Sequence, residues 1–172
     1  IVSDINNSCH QCDMCNRGNP HHCLNRSALG IKDRDGAFAE FLTTPASNLV
    51  MIPDHVPDDM AVFAEPLAAA LEIQEQIDFS VRDEIAVIGD GKLGLLITLS
   101  LIQAGYDVTL LGHHPERAAQ LGISNLKFNS SVPEKKFSVV IEATGSPSGF
   151  SDAMKIIAPL GTLVLKSTYQ AP

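Results

Sequence analysis

All four cysteines of the 172-residue chain lie in one stretch, "CHQCDMCNRGNPHHC", at Cys9, Cys12, Cys15 and Cys23. Two residues separate each of the first three, and seven separate the third from the fourth. Thiolates so spaced can hold a metal. A disulfide framework fits less well, since near neighbours pair poorly and the rest of the chain resembles a cytosolic α/β protein. An iron–sulfur run of the bacterial type needs a shorter last gap followed by Pro; here Pro20 precedes the fourth Cys. A closed zinc site suits the pattern better. Four thiolates satisfy Zn²⁺ tetrahedrally and leave no open position, so the ion cross-links and does not catalyse. His10, His21 and His22 could each replace a thiolate, but four suffice, and they read as polar loop residues.

A second pattern is "VIGDGKLG", with Gly89, Gly91 and Gly94 as G-x-G-x-x-G. It follows a strand-like run and opens a helix-like one, the context a dinucleotide fingerprint requires. Gly89 would allow the turn, Gly91 the approach of a pyrophosphate, and Gly94 the packing of helix on strand. The helix start would supply N–H groups and a positive dipole end. An NAD site usually carries an acid about 20 residues on, for the ribose 2′-hydroxyl. The end of "DVTLLGHHPER" holds Gly112 there, followed by His113, His114 and Arg117. Asp107 stands at the other end of that strand. A carboxylate repels a 2′-phosphate and cationic donors accept one, so this pattern favours NADP over NAD. The plainer reading makes Arg117 a solvated helix residue paired with Glu116.

The third candidate is Glu65, just before Pro66 in "FAEPLAAALE". It reads as the N-cap of a helix, a place usually held by Ser, Thr, Asp or Asn. A carboxylate there is favoured by the helix dipole. Glu72 and Glu75 read as an exposed helix face.

These residues need elements to place them. The first thirty or so residues are polar and lack periodicity, an irregular lobe needing something other than a core. "AFAEFLTTP" and "NLVMIP" read as short strands. "DDMAVF" and "PLAAALEIQEQI" read as helices, the second with Pro66 at its first position. Beyond Val81, strands and helices alternate: "EIAVIG", then a helix to Gly105, "DVTLLG", "PERAAQL", "NLKF", "FSVVIEATG", the helix "SGFSDAMKIIA" and "GTLVLKS". Alternation of this kind implies βαβ units and a parallel sheet, and the apolar strands suit burial on both faces.

Composition sets the bounds. The net charge is −8 with no basic run, which argues against nucleic acid or an anionic membrane surface. The apolar run "LGLLITLSLI" is too short to span a bilayer. The chain opens without Met or a signal-peptide pattern and ends after a strand-like run, so it reads as an internal piece of a longer, cytoplasmic protein.

Taken together, these motifs resemble the zinc-dependent medium-chain alcohol dehydrogenase family, in its polyol and threonine dehydrogenase branch. Cys9, Cys12, Cys15 and Cys23, "DGAFAEFLTTPASNLVMIPDHVPDDMAVFAEPLAAAL", "GDGKLG" and "VVIEATGSP" occur in that family's order. The resemblance implies part of a GroES-like catalytic domain over 1–65 and a Rossmann domain over 66–172, its sixth strand missing. It implies reversible oxidation of an alcohol to a carbonyl compound, with hydride passed to NAD(P)⁺ and a catalytic zinc acting as Lewis acid. It implies that Glu65 belongs to the catalytic zinc shell and that the four cysteines hold structural zinc. The cofactor would meet the loop Gly89, Asp90, Gly91, Lys92, Leu93 and Gly94, and the group Gly112, His113, His114 and Arg117. Ala143, Thr144 and Gly145 would line the adenosine and nicotinamide riboside side, and Lys166, Ser167 and Thr168 the carboxamide. A homo-oligomer acting on a small alcohol or carbonyl substrate would follow. The family's catalytic Cys and His-Glu pair would lie before Ile1, so the piece alone would turn nothing over. A non-catalytic NADPH-binding module and an iron–sulfur carrier are the readings outside this class.

Overall fold

The computed structural model describes residues 1–80 and 82–168. The chain forms two compact units, Ile1–Glu65 and Pro66–Pro172.

The first unit contains β1 (Val2–Ser3), β2 (Asn6–Asn7), α1 (Asp13–Asn16), β3 (Ser27–Ala28), β4 (Leu49–Val50) and α2 (Asp58–Ala61). β1 pairs antiparallel with β4, and β2 with β3. Among its described residues only Cys23 and Ala28 are buried apolar side chains. Polar ties replace a core: the Asn48 amide donates to the Asp4 and Asn6 carbonyls at 3.2 and 2.8 Å and to Asn7 Oδ1 at 3.2 Å. The expected strand at "AFAEFLTTP" does not form. A strand needs a neighbour to take its backbone groups. Within this unit no strand pairs there, and Phe38 and Phe41 lie exposed.

α3 (Ala64–Gln76) starts earlier than expected. Glu65 therefore sits inside its first turn, not at the N-cap, and Pro66 is its third residue. Proline is tolerated there because first-turn N–H groups have no intrahelical acceptor.

The second unit continues with β5 (Ile85–Ile88), α4 (Lys92–Gln103), β6 (Val108–Leu111), α5 (Pro115–Gln120), β7 (Lys127–Asn129), β8 (Phe137–Glu142), α6 (Pro147–Ile156) and β9 (Ile157–Leu165). The strands form one parallel sheet in the order β7-β6-β5-β8-β9. Side chains alternate across β5, so Ile85 and Val87 join one apolar cluster and Ala86 and Ile88 the other. The first cluster packs Ala70 and Ile73 of α3 with Ile97 and Leu101 of α4. The second packs Ala153 and Ile156 of α6. Every residue of β5 and β6 is buried, as a sheet covered on both faces requires.

The last helix ends sooner than "SGFSDAMKIIA" suggested. α6 stops at Ile156, and Ile157 already pairs with Phe137. Pro159 is the reason: it disfavours helical backbone at Ala158. The chain then bulges through Leu160, whose φ is 62°, before Thr162 pairs with Val139.

Candidate functional site

The strand order reverses at β5, between β6 and β8. In such sheets ligands bind beyond the carboxyl ends of the strands at that switch point. A cleft of about 420 Å³ lies there. Backbone bonds hold its rim: Gly89 N–H donates to Leu111 O at 2.8 Å, Ala143 N–H to Ile88 O at 2.8 Å, and Gly112 N–H to Asn129 O at 3.1 Å.

The glycine loop is sterically determined. Gly89 has φ +114°, and a Cβ on it would stand 2.7 Å from Ala143 O. A Cβ on Gly94 would lie 1.8 Å from Gly89 O, so only glycine lets α4 approach the strand end this closely. Gly91 differs, because a Cβ there would meet no protein atom within 4 Å. Its open side faces the cleft it lines. This is the arrangement a close-lying pyrophosphate needs, with the N-terminus of the 12-residue helix α4 behind it.

Across the cleft, Asp90 reaches from the glycine loop to the loop after β6. Its Oδ2 accepts the His114 backbone N–H at 2.5 Å, and His114 Nδ1 lies 3.2 Å from both carboxylate oxygens. A Cβ on Gly112 would fall 2.4 Å from Asp90 Cγ. Burial pushes the Asp90 carboxyl up. Hydrogen bonds from the His114 ring and from the His114 and His113 backbone outweigh that and hold it below the usual carboxylate range. The favouring of NADP assumed that no carboxylate faces this end of the strand. A carboxylate does stand there, that of Asp90, which comes from another loop. Arg117 and His113 line the same wall, and among the described residues Arg117 makes no ion pair with Glu116.

On the β8 side, Glu142 is 1% exposed and accepts from the Thr144 N–H at 2.7 Å and the Thr144 hydroxyl at 2.5 Å. Gly145 N–H donates to Ser167 Oγ at 2.7 Å, and Lys166 N–H to Glu142 O at 2.9 Å. The expected groups after β8 and after β9 are thus tied together. Ala143 and Thr144 line the cleft. Lys92, Leu93, Gly94, His114, Gly145, Lys166, Ser167 and Thr168 are not on its lining. The lining also includes Asn129, Ser130, Ser131, Val132, Ser146, Ser148 and Asp152, which the sequence reading missed. Its one signal was the small polar run "NSS" directly after a weak strand.

In the first unit the four cysteines converge. Their Sγ atoms all lie within 4.8 Å of one another, the one His/Cys/Asp/Glu group among the described residues able to hold a metal. Cys12 Sγ is 3.5 Å from Cys15 Sγ and 3.8 Å from Cys23 Sγ, and Cys23 Sγ is 3.5 Å from Cys9 Sγ. Tetrahedral zinc with bonds of about 2.3 Å sets sulfurs about 3.8 Å apart, so the thiols fit the ion. Backbone N–H groups of Cys15 and Leu24 hold the Cys12 thiol down to about 6, and burial pushes Cys15 up to about 12. His10, His21 and His22 are exposed and outside the group. Glu65 is exposed in the first turn of α3.

Residues 1–54 match the alcohol dehydrogenase GroES-like domain, and residues 85–158 match ketopantoate reductase PanE/ApbA. L-threonine 3-dehydrogenase of Legionella pneumophila (strain Corby) is 28% identical over 172 residues, covering 92% of this chain and 50% of that protein. A solved short chain alcohol dehydrogenase, RspB from E. coli CFT073 complexed with cofactor NADH, superposes with TM-score 0.83 at 28% identity, over 99% of this chain and 54% of that one. This chain belongs to the zinc-dependent medium-chain alcohol dehydrogenase family. A second solved structure, a zinc-binding dehydrogenase of Sinorhizobium meliloti 1021 bound to NADP, has TM-score 0.83 and 26% identity over 98% of this chain and 54% of that one. The chain spans about half the length of the relatives it matches. The family's α/β architecture, with a GroES-like match ahead of the parallel sheet, is the one described above.

Proposed function

We propose that the protein is part of an NAD(P)-dependent alcohol or polyol dehydrogenase, which passes hydride reversibly between an alcohol carbon and a nicotinamide. The observation carrying this reading is the cleft at the switch point, where Gly91 leaves room for a pyrophosphate at the start of α4. Residues 66–172 serve as the dinucleotide-binding domain and 1–65 as part of the GroES-like catalytic domain. The glycine loop and α4 receive the pyrophosphate, and Ala143, Thr144 and Gly145 receive the riboside. Lys166, Ser167 and Thr168 lie towards the carboxamide, so that the nicotinamide face is fixed against substrate. Cys9, Cys12, Cys15 and Cys23 hold a structural zinc, whose binding energy stabilises a unit with little apolar core. A catalytic zinc, when bound, supplies Lewis acidity to the substrate oxygen. Glu65 is the residue of this chain assigned to its surroundings. Relatives named L-threonine 3-dehydrogenase make small secondary alcohols the substrate class to test first. The whole protein is expected to be a homo-oligomer.

All four cysteines are committed to the lobe, and Glu65 is the residue of this chain assigned to a second zinc. Isothermal titration of the chain with NAD⁺ and NADP⁺, beside a hydride-transfer assay with alcohols, tests the proposal. Nucleotide binding without turnover is expected. Failure of both nucleotides to bind at millimolar concentration overturns the cofactor reading, and turnover by these residues alone overturns the assignment of zinc roles.

A further inference from the structure

We propose that Asp90 selects against a 2′-phosphate, so that the cleft prefers NAD to NADP, and that His114 is the positioning residue for its carboxylate. The inference rests on reading the cleft as a dinucleotide site, and it reverses the preference drawn from Gly112 alone.

Three observations meet at one place. Asp90 leaves the loop after β5 and crosses to the end of β6, where a side chain on residue 112 would stand; a Cβ there would lie 2.4 Å from its Cγ and its Oδ2. Gly112 therefore makes room for a carboxylate already in the protein. The cleft is lined by Asp90, whose side chain is only 8% exposed, so the charge is held in place with little water to screen it. The backbone N–H of His114 is already donated to Asp90 Oδ2, with the imidazole Nδ1 of the same residue 3.2 Å from both oxygens. Donors at the start of the loop after β6 are the groups an incoming anion would seek. Here an internal anion holds them.

His113 and Arg117 remain on the cleft wall and would attract a phosphate, and Asp152 adds a further acid, paired with Lys155 at 2.8 Å. A phosphate placed between His113 and Arg117 must still approach the fixed Asp90 carboxylate. Like charges in a poorly hydrated site repel strongly, and discrimination of this kind comes from the repulsive element. A ribose 2′-hydroxyl meets no such penalty and can donate to the same carboxylate.

The test is titration of the chain with NAD⁺ and NADP⁺ in wild type, Asp90→Asn, His114→Ala and His114→Asn. Asparagine at 90 keeps the shape and an oxygen for the His114 N–H while removing the charge. Wild type should bind NAD⁺ about tenfold or more tighter than NADP⁺, and Asp90→Asn should narrow that ratio by about tenfold, chiefly by gaining NADP⁺ affinity. His114→Ala, which removes the ring and leaves the carboxylate held by the backbone N–H alone, should also narrow the ratio. His114→Asn, which can return a side-chain donor, should restore it; a purely structural role would not move the ratio in this pattern. A wild-type preference for NADP⁺, or an unchanged ratio in Asp90→Asn, overturns the assignment of Asp90 alone. An unchanged ratio in His114→Ala overturns the role of His114. If neither nucleotide binds wild type, the reading of the cleft fails and this assignment fails with it.

Discussion

Glu142 holds Thr144 by both of its donors. The N–H and the hydroxyl reach the same carboxylate oxygen, at 2.7 and 2.5 Å, from a side chain buried at the end of β8. The packing leaves no slack, since a Cβ on Gly149 of α6 would stand 2.1 Å from Thr144 Oγ1 and 2.6 Å from Glu142 Oε1. One buried acid thus shapes the lip of the cleft without facing it.

Glu142→Ala should therefore weaken both folding and binding. It removes the buried acceptor of the Thr144 N–H and hydroxyl, a loss of about 1–2 kcal/mol in urea unfolding. Nucleotide affinity should fall as the Ala143–Gly145 turn loosens. A variant as stable as wild type would show that Thr144 finds another acceptor at no cost.

Gly91 and Gly94 should separate binding from folding. Gly94→Ala drives a Cβ into the backbone oxygen of Gly89, which cannot swing aside. Overpacking of this kind destabilises by about 2–3 kcal/mol, read from the urea midpoint. Gly91 has φ −76° and open space beside it, so Gly91→Ala should fold within about 0.5 kcal/mol of wild type. Its nucleotide affinity should drop about tenfold or more, because the methyl group enters the space assigned to the pyrophosphate. Equal loss of stability in both variants would refute the distinction.

The cysteine lobe should depend on metal in a way the sheet does not. One zinc per chain is expected by elemental analysis, and Cys15→Ser should lower that stoichiometry. Chelation should raise amide hydrogen exchange across Ile1–Glu65 and leave β5, β6 and β8 protected, since the first unit has almost no buried apolar side chains of its own. Iron in place of zinc, or protection unchanged by chelation, would contradict this.

Asp90 should contribute to stability through its charge. Its folded carboxyl lies below the ordinary range, so the unfolded chain binds the proton more readily. The stabilisation is complete above the unfolded value of about 3.9 and fades as pH falls through the folded value. Asp90→Asn should be less stable than wild type at pH 7, and the gap should close in acid below about pH 4. Urea unfolding of both proteins between pH 3 and 7 measures it. A gap independent of pH would mean that hydrogen-bond geometry, not charge, is what the carboxylate supplies.

Much was legible in the chain because the governing contacts are local. Four thiols within fifteen residues can meet around one point whatever the rest of the fold does, so the spacing from Cys9 to Cys23 already brings them together. The strands of the sheet announced themselves as apolar runs bounded by turns, because burial on both faces leaves no room for polar alternation. Gly89, Gly91 and Gly94 were readable for the same reason: a strand, a turn and a helix start within one short segment place them.

What depended on distant partners was not legible. "AFAEFL" alternates like a strand, yet alternation supplies no neighbour, and within its unit no strand pairs with it. The cleft wall after β7 depends on which strand lies beside β6, a choice made by packing across the sheet. The position after β6 is the sharpest case. In sequence Gly112 stands without an acid, and Asp107 lies at the other end of the strand. In space Asp90, twenty-two residues earlier, fills the place, because parallel strands bring their carboxyl ends side by side. Chain order alone determined the glycine loop and the cysteine cluster; only the sheet's register decided which charge stands at the end of β6.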